Sequence, residues 1–500
     1  MSEDGAVLTA LGVDVGTTNT KVALVDVTVP RVLAVAAAPT PSPRDAAAVL
    51  AGLVARVLPA GPAPVAVGIA SMAETGVPLA PDGTPRGDWL RWDGHRAGAE
   101  ADALAARIGR ADLFAATGVR ASAKIPLATW AWLRTHDPDA LHGGQDAVAA
   151  GARGSVRHTS GAGRWAGAAD LVGFLMTGRL ATDHTLAGRT GAYRLGRPGG
   201  LPTAFDADLL AEVGLGPSQL PEVLAPGELL GRVVDGPFTA AGLTVGTPVT
   251  IAGHDHAVGT WAAGVRTPGQ AADSVGTAEA VCTVLDADPD PGPVADAGMS
   301  VVRTVTGAHA ALLAGSSSAG AAVAWWLRTH AADLDADALM RDVAALADAP
   351  IELLVLPYVH GRQTPCPDPA ARPAVLGDLA RRSPAEGAFA LLAGLALQAR
   401  WMLDEQRRLS GGGVVDAVKV LGGPMSANPA WLRLKARVTP WPVVRVDEAE
   451  PVAAGAAMLA AHRSGGQETP ALASTTVPAD RRAGDDAAFE RFVRAARAAG

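Results

Sequence analysis

The chain has 500 residues, 49% of them hydrophobic and 18% charged, which predicts a folded protein of two or more domains and excludes a disordered one. Its formal net charge of −8 excludes a basic surface for nucleic acid or anionic lipid, and no apolar run is long enough to span a membrane. The 2 cysteines lie far apart and the N-terminus is acidic without a signal-peptide pattern, so we expect a cytoplasmic protein.

In the first half of the chain, the hydrophobic pattern predicts a hairpin followed by helices and strands. Two apolar runs, residues 8–13 and 21–27, flank a short polar turn, which is typical of a β-hairpin. A further strand is predicted at residues 64–70. Helical spacing recurs at residues 46–57, 100–108, 127–135 and 168–177.

The second half alternates in the same way. An apolar run ends at residue 252 and leads into Gly253, His254, Asp255 and His256, where we place a domain boundary. Further helices are predicted at residues 319–330, 385–409 and 453–462, and a strand at 414–421. The predicted domains are residues 1–253 and 254–465, followed by a polar tail over 466–500 that leaves room for a final short helix.

The turn of the first hairpin has the composition of a phosphate-binding loop. Its segment reads Asp14, Val15, Gly16, Thr17, Thr18, Asn19, Thr20 and Lys21. Glycine lets a backbone approach a ligand closely, successive N–H groups and hydroxyls can surround phosphate oxygens, and Asp14 can hold Mg²⁺ through water. The spacing is neither that of a Walker A loop nor that of a dinucleotide-binding loop. The alternative is an ordinary hairpin with a polar tip and a solvated Lys21.

Residues 11–21 resemble the opening segment of the FGGY carbohydrate kinases, which belong to the actin/hexokinase-like, or ribonuclease H-like, superfamily. Other segments resemble motifs of that family in the same order, namely residues 182–190, 246–255, 276–279, 421–431 and 450–457. The resemblance implies two α/β lobes of ribonuclease H-like fold with a cleft between them. It also implies ATP and Mg²⁺ as cofactors and phosphorylation of a hydroxyl on a small sugar, polyol or sugar acid. Homodimers are common in the family, so a homodimer is one expected state.

Asp255 is the predicted catalytic base, because the resemblance places it after the family's catalytic strand. Phosphoryl transfer needs positioning, charge neutralisation and a base near the accepting hydroxyl, and an aspartate can accept that proton. The resemblance also implies that Asp255 and Asp14 hold Mg²⁺, and that His256 contacts the substrate. Alternatively, Asp255 caps a helix, and His254 and His256 ligate a metal ion or are polar loop residues.

The predicted sugar site begins after the strand at residues 64–70. Met72 matches what xylulose kinases carry at this place, and Glu74 matches glycerol kinases, so the resemblance leaves the substrate open. Glu74 is expected to accept hydrogen bonds from vicinal hydroxyls. Its alternative is a solvated turn residue.

A second part of the sugar site is expected around Trp92, in a segment similar to the family's Trp-x-Asp-x-Arg pattern. The Trp92 ring offers an apolar face to sugar C–H groups, with Asp93 as a polar partner, although a tryptophan is as easily a core residue. Lysine is rare in this chain, and Lys124 falls near a substrate-contacting position of glycerol kinases. One hypothesis is that Lys124 pairs with the carboxylate of an acidic sugar, and the resemblance leaves open whether the substrate is acidic or neutral.

The predicted nucleotide site lies mostly in the second domain. Gly276 and Thr277 resemble the family's second phosphate motif. Residues 421–431 resemble its adenosine motif, in which Gly422 and Gly423 let the backbone pass close to a base or ribose that Asn428 can hydrogen-bond. Two other functions stay open, a non-catalytic relative that senses nucleotide or sugar and a superfamily ATPase that acts without a sugar. Stimulation of ATP turnover by a sugar separates these alternatives from a kinase.

Overall fold

The computed structural model describes residues 7–141, 163–413, 415–423, 428–466 and 469–498. Its strands are β1 Thr9–Val15, β2 Asn19–Asp26, β3 Arg31–Pro39, β4 Val67–Ser71, β5 Gly76–Leu79, β6 Arg164–Gly167, β7 Ala181–Thr182, β8 Glu222–Val223, β9 Gly231–Arg232, β10 Pro248–His254, β11 Ala271–Val275, β12 Glu279–Leu285, β13 Ser300–Arg303, β14 Ala310–Ser316, β15 Leu354–Leu356, β16 Ala374–Leu376, β17 Val418–Leu421, β18 Val443–Val446 and β19 Ser474–Thr476. Its α-helices are α1 Ala46–Val57, α2 Gly98–Ile108, α3 Arg110–Thr117, α4 Pro126–His136, α5 Ala168–Thr177, α6 His184–Ala187, α7 Ala207–Ala211, α8 Pro237–Ala240, α9 Asp255–Ala262, α10 Pro291–Asp296, α11 Gly320–His330, α12 Ala336–Ala345, α13 Pro384–Leu409, α14 Pro429–Val438, α15 Pro451–Gly465 and α16 Ala483–Ala498.

The chain folds into two compact units. The first comprises residues 1–258, 302–308 and 452–470, and the second residues 259–301, 309–451 and 471–500. The units depart from the predicted domains because the first extends a few residues beyond the predicted boundary and includes nearly all of α15.

The described residues of the predicted polar tail contain β19 and α16, both of which lie in the second unit. The composition of this stretch is polar, but Ala488, Phe492 and Ala496 recur at helical spacing and are buried along one face of α16. A narrow apolar stripe is sufficient to fix a helix against a core even when its other faces are charged.

The first unit is built on a six-stranded sheet in the order β3-β2-β1-β4-β10-β9. β1 and β2 form the predicted antiparallel hairpin, while β1, β4 and β10 run parallel to one another. Leu11, Val13, Ile69 and Ile251 lie in the core that this sheet shares with α1 and α5. Because side chains alternate along a strand, the intervening residues face the opposite side of the sheet.

Two glycines allow α15 to approach that opposite side. A Cβ on Gly12 would lie 1.8 Å from the carbonyl oxygen of Ala453, and one on Gly68 would lie 1.9 Å from that of Ala456. A side chain at either position would therefore collide with the backbone of the helix. The alanine-rich sequence of α15 completes this close contact, since it too carries little side-chain bulk.

The second unit has a seven-stranded sheet in the order β13-β14-β12-β11-β17-β18-β19. β11 and β12 form an antiparallel hairpin, and β11, β17 and β18 run parallel. The first unit arranges β2, β1, β4 and β10 in the same way. The prediction of two α/β lobes, each built on a sheet, is therefore confirmed.

Candidate active site

The carboxyl ends of β1, β4 and β10 meet at one edge of the first sheet. Val15 of β1 and His254 of β10 both pair in register with Ser71 of β4. Loops that follow parallel strands at such an edge are the usual place for ligands in α/β sheets. This register brings together three parts of the sequence that lie far apart: the predicted phosphate-binding turn between β1 and β2, which we call the phosphate turn, the predicted sugar segment and the predicted catalytic acid.

The phosphate turn occupies residues 16–18, between β1 and β2. The Gly16 N–H donates to the Asn19 carbonyl at 3.1 Å, and a Cβ on Gly16 would lie 2.8 Å from the same oxygen. Thr18 and Asn19 are exposed at the tip, while Asp14 and Lys21 are half-buried cross-strand neighbours. The turn therefore presents backbone and hydroxyl groups at its tip, with one acid and one base close behind it.

Thr17 connects this turn to the predicted sugar segments. Its hydroxyl accepts a hydrogen bond from Trp92 Nε1 at 2.9 Å and lies 3.4 Å from the sulfur of Met72. Its carbonyl accepts a hydrogen bond from Arg91 at 3.1 Å. Trp92 is half-buried, its indole N–H is engaged by Thr17, and its ring also packs against the core of the first sheet.

Asp255 is the first residue of α9, directly after a bulge in β10 between Ile251 and Gly253. Its Oδ1 lies 3.1 Å from His254 Nε2 and 4.0 Å from His256 Nε2, and it accepts a hydrogen bond from the His256 backbone at 2.6 Å. Burial raises the pKa of Asp255 and nearby Glu74 adds to that rise, whereas His256 lowers it. The carboxylate is therefore a stronger base than that of an exposed aspartate. It also accepts a backbone hydrogen bond in the first turn of α9.

A buried polar network holds the end of β10 in this shape. The His254 N–H donates to Thr185 Oγ1 at 2.8 Å, and that hydroxyl donates to Asp183 Oδ1 at 2.6 Å. Arg463 of α15 lies 3.7 Å from the other oxygen of Asp183. Gly253 has a φ of 130°, and a Cβ there would lie 2.4 Å from Thr185 Oγ1. Asp183 and Thr185 thus hold the end of β10, directly before Asp255, in place.

His254, Asp255 and His256 each offer a ligand atom, and these atoms lie within 4.8 Å of one another. Burial lowers the pKa of His254 well below its usual range, which keeps its imidazole neutral. Two imidazoles and a carboxylate are ligands that zinc accepts. Metal ligation therefore stays open as the alternative for the two histidines.

Glu74 is held by an arginine that was not predicted to contact it. Arg189 donates to Glu74 Oε1 through Nε at 3.1 Å and through Nη2 at 2.6 Å. The Glu74 side chain is only 13% exposed, and its φ of 61° is unusual for a residue other than glycine. Glu74 is therefore not a solvated turn residue. Arg189 lies in residues 182–190, a segment that resembles a family motif, and this was the signal that could have singled it out.

Lys124 lies against the other predicted sugar residues. Its Nζ is 4.9 Å from the centre of the Trp92 ring. Desolvation lowers the pKa of Lys124, and Arg189 lowers it further, while Glu74 and Asp93 raise it. Asp93 itself is exposed and paired with Arg91 at 3.0 Å, and this hydrogen bond lowers its pKa. The site thus combines an aromatic face with charges of both signs.

A cavity of about 30 Å³ lies beside the Glu74 segment and is also lined by Asp170 and Thr182. It has room for water but not for a sugar. Asp170 accepts a hydrogen bond from the Gly167 N–H at 2.8 Å at the start of α5. Burial raises the pKa of Asp170 to about 7, against the lowering effect of Thr182. No sequence motif indicated this buried acid.

The predicted phosphate motif of the second unit is also a hairpin turn, at residues 276–278 between β11 and β12. The Gly276 N–H donates to the Ala278 carbonyl at 2.7 Å. The first N–H groups of α11 donate to the Gly276 carbonyl at 3.1 Å and to the Thr277 carbonyl at 3.0 Å. Gly422 has a φ of 111°, and a Cβ there would lie 2.0 Å from the Val275 carbonyl. Gly422 is thus required for close approach to the hairpin.

Gly423 is exposed beside Gly422, and residues 424–427 of the predicted adenosine motif lie outside the described residues. Asn428 caps α14, since its Oδ1 accepts a hydrogen bond from the Trp431 N–H at 3.0 Å. Its Nδ2 lies 3.3 Å from the sulfur of Met340. Both ends of the Asn428 side chain are therefore occupied within the protein, which leaves its predicted contact with a nucleotide untested.

Comparisons with known proteins cover most of the chain. The family model for the N-terminal domain of the FGGY family of carbohydrate kinases matches residues 56–261. The model for the C-terminal domain of the same family matches residues 271–464. No helix of the described ranges is long and apolar enough to cross a bilayer.

Among curated relatives, a xylulose kinase from Streptomyces rubiginosus is 30% identical over 292 residues, which are 56% of this chain and 55% of that protein. This chain thus spans little more than half the length of such relatives. A glycerol kinase from Aromatoleum aromaticum is 30% identical over 387 residues, 74% of this chain and 69% of its own.

Solved structures share the fold over nearly the whole chain. A ligand-bound xylulose kinase from Lactobacillus acidophilus matches with a TM-score of 0.81 at 19% identity, covering 98% of this chain and 97% of its own. A gluconate kinase from the same organism matches with a TM-score of 0.81 at 20% identity, covering 99% and 97%.

Proposed function

Because the chain belongs to the FGGY family of carbohydrate kinases, we propose that it transfers the γ-phosphoryl group of ATP to a hydroxyl of a small sugar, polyol or sugar acid. The observation that carries this proposal is the register of β1, β4 and β10, which brings the phosphate turn, Glu74 and Asp255 to one strand edge. The reaction needs ATP, so we place the protein in the cytoplasm.

In the proposed reaction, Asp255 accepts the proton of the substrate hydroxyl. The oxygen of that hydroxyl forms a bond to the γ-phosphorus, and the bond from that phosphorus to the bridging oxygen breaks, so that ADP leaves with the electron pair. The raised pKa of Asp255 favours proton acceptance, and the network through Thr185 and Asp183 keeps its strand end in place.

Mg²⁺ supplies neutralisation of the phosphate charge when it is bound. Asp14 and Asp255 are the residues that would hold it, because carboxylate oxygens are the ligands that this ion prefers. Asp14 lies near the end of β1 and Asp255 directly follows β10, two strands that both run parallel to β4, and both residues are half-buried. The donor chemistry of the edge therefore fits the ion.

We propose that the substrate is a small polyhydroxylated molecule bound between Glu74 and Trp92. The second oxygen of Glu74 can accept from a sugar hydroxyl while Arg189 holds the first. Lys124 and Arg189 place two cations near Glu74, which supports a sugar acid as the finer proposal. Relatives named for xylulose, glycerol and gluconate phosphorylation span this range of acceptors.

The deciding experiment is ADP release with Mg·ATP across a panel of ketoses, polyols and aldonates. Asp255→Ala is compared with the wild type, and Asp333→Asn, a change at an exposed aspartate of the second unit, serves as the matched control. Stimulation by one compound in the wild type and the control, but not in Asp255→Ala, would support the proposal. ATP binding without turnover over the whole panel would instead favour a sensing relative.

A further inference from the structure

A buried charged cluster lies in the second unit, away from every residue assigned above to proton transfer. The ammonium of Lys435 in α14 donates to Asp273 Oδ2 and to Glu279 Oε1. The side chains of Lys435 and Asp273 are each 2% exposed, and that of Glu279 is 0% exposed. We call these three residues the lysine cluster. Isolated charges are rarely buried to this extent, so the cluster must be balanced internally.

The lysine cluster joins the two segments of this unit that are predicted to bind the nucleotide. Asp273 lies in β11, and Glu279 begins β12 directly after the turn at residues 276–278. Glu279 pairs in register with Val275, the last residue before that turn. Lys435 comes from α14, the helix that Asn428 caps at the end of the predicted adenosine motif. A shift of α14 would therefore be transmitted to both strands that support the turn.

The charges of the cluster do not balance if both acids are ionised, because one ammonium faces two carboxylates. Burial raises the pKa of Glu279 to about 8, with Lys435 lowering it and Asp273 raising it. Burial lowers the pKa of Lys435, but Asp273 and Glu279 raise it above its usual value. Lys435 therefore keeps its charge. Near neutral pH the cluster thus carries one proton on Glu279 and has no net charge.

Other neighbours of Glu279 do not change this balance. Its cross-strand partner on β14 is Ser316, which is uncharged. Gln406 of α13 donates to the Val281 carbonyl at 2.8 Å and is also uncharged. Oδ1 of Asp273 and Oε2 of Glu279 accept no hydrogen bond within the described part of the chain. The charged groups that act on Glu279 are therefore Asp273 and Lys435.

We propose that the lysine cluster positions the turn at residues 276–278 for nucleotide phosphates and, by keeping one proton on Glu279, removes a negative charge from beneath that turn. Lys435, Asp273 and Glu279 are thus positioning residues, since none of them needs to touch the nucleotide. The inference rests on the proposed function, because it takes ATP as the ligand of the turn. Loss of the proton would leave a buried negative charge beside an anionic ligand, and the two would repel each other.

The test is the pH dependence of KM for ATP in wild type and Glu279→Gln, from about pH 6 to about pH 9, a range in which exposed carboxylates do not titrate. Glutamine keeps the shape and a hydrogen-bonding group but cannot lose a proton. We expect KM for ATP to rise about fivefold or more in the wild type over this range, and to stay within about twofold in the variant. Glu490→Gln, at a 68% exposed side chain, is the matched control and should follow the wild type.

A purely structural cluster would shift the melting temperature of Glu279→Gln and leave the shape of its KM profile like that of the wild type, which would overturn the inference. A wild-type KM that does not change with pH would overturn it as well. Turnover at neutral pH tests the proposed function separately. If no sugar supports turnover, calorimetric titration with ATP over the same pH range replaces KM by Kd, so the inference can be judged alone.

Discussion

The two hairpins β1–β2 and β11–β12 have the same strand arrangement but differ in how deeply the charged residues near their turns are buried. Each has a glycine–threonine turn, at residues 16–18 and 276–278. In each, the first strand of the hairpin also pairs with a parallel strand, β4 in the first sheet and β17 in the second. In the first hairpin the charged residues near the turn, Asp14 and Lys21, are half-buried. In the second, Asp273 and Glu279 are buried, and both contact the ammonium of Lys435.

This difference separates charged residues that a ligand could reach from charged residues that contact only the protein. The first hairpin keeps an acid partly accessible at the edge where Asp255 lies, as proton transfer and a metal ion require. The second hairpin places its acids where only the protein contacts them, so they fix backbone geometry. The same kind of turn thus lies next to a partly accessible acid in one unit and next to a buried charged cluster in the other.

The largest expected effect is that of Asp255→Asn at the first edge. Asparagine keeps the size of the side chain but cannot accept the proton, so kcat should fall by about a thousandfold, measured by coupled ADP release. The raised pKa of Asp255 means that its ionisation costs folding stability, a cost absent below the unfolded pKa and fully developed as pH rises through the folded pKa. The variant should therefore melt no lower than the wild type at neutral pH. Wild-type kcat in Asp255→Asn would remove this residue from the chemistry.

The second prediction compares the two lysines that belong to these hairpins. Lys435→Met leaves two buried acids without their cation and should cost about 3–5 kcal/mol of unfolding free energy. Lys21→Met changes a half-buried residue and should cost less than about 1 kcal/mol, while raising KM for ATP. Urea unfolding of both variants measures the difference. Equal losses would show that burial does not distinguish the two hairpins.

Much of this comparison could be read from the sequence, because turns and strand ends are local features. The glycine–threonine turns, the strand before Asp255 and most helices follow from periodicity and turn composition. The parallel register could be anticipated from the motif order but not from any single segment. The positions of residues at strand ends were therefore the easiest to predict.

Side-chain partners could not be predicted, because they are joined only by the tertiary fold. Arg189 and Glu74 are 115 residues apart, and Lys435 and Asp273 are 162 apart. The family resemblance predicts a nucleotide contact for Asn428, and the structure adds a helix cap that the resemblance did not indicate. The apolar stripe of α16 lies in a segment of polar composition, so composition alone could not show which face of that helix is buried.

The smallest expected effect lies at the sugar end of the first edge and concerns Lys124. If Lys124 pairs with a sugar carboxylate, Lys124→Met should raise KM for aldonates about fivefold and leave KM for neutral polyols within about twofold. Lys419→Met, which changes a lysine bonded to Ser474 on the second sheet at 3.1 Å, is the matched control. Because desolvation lowers the pKa of Lys124, its ammonium should lose its proton as pH rises, before an ordinary lysine would. The wild-type preference for aldonates should therefore weaken as pH rises towards the usual lysine range, whereas that of the variant should not change. Equal KM changes for acidic and neutral substrates would show that Lys124 supports the Trp92 ring without reading the charge of the sugar.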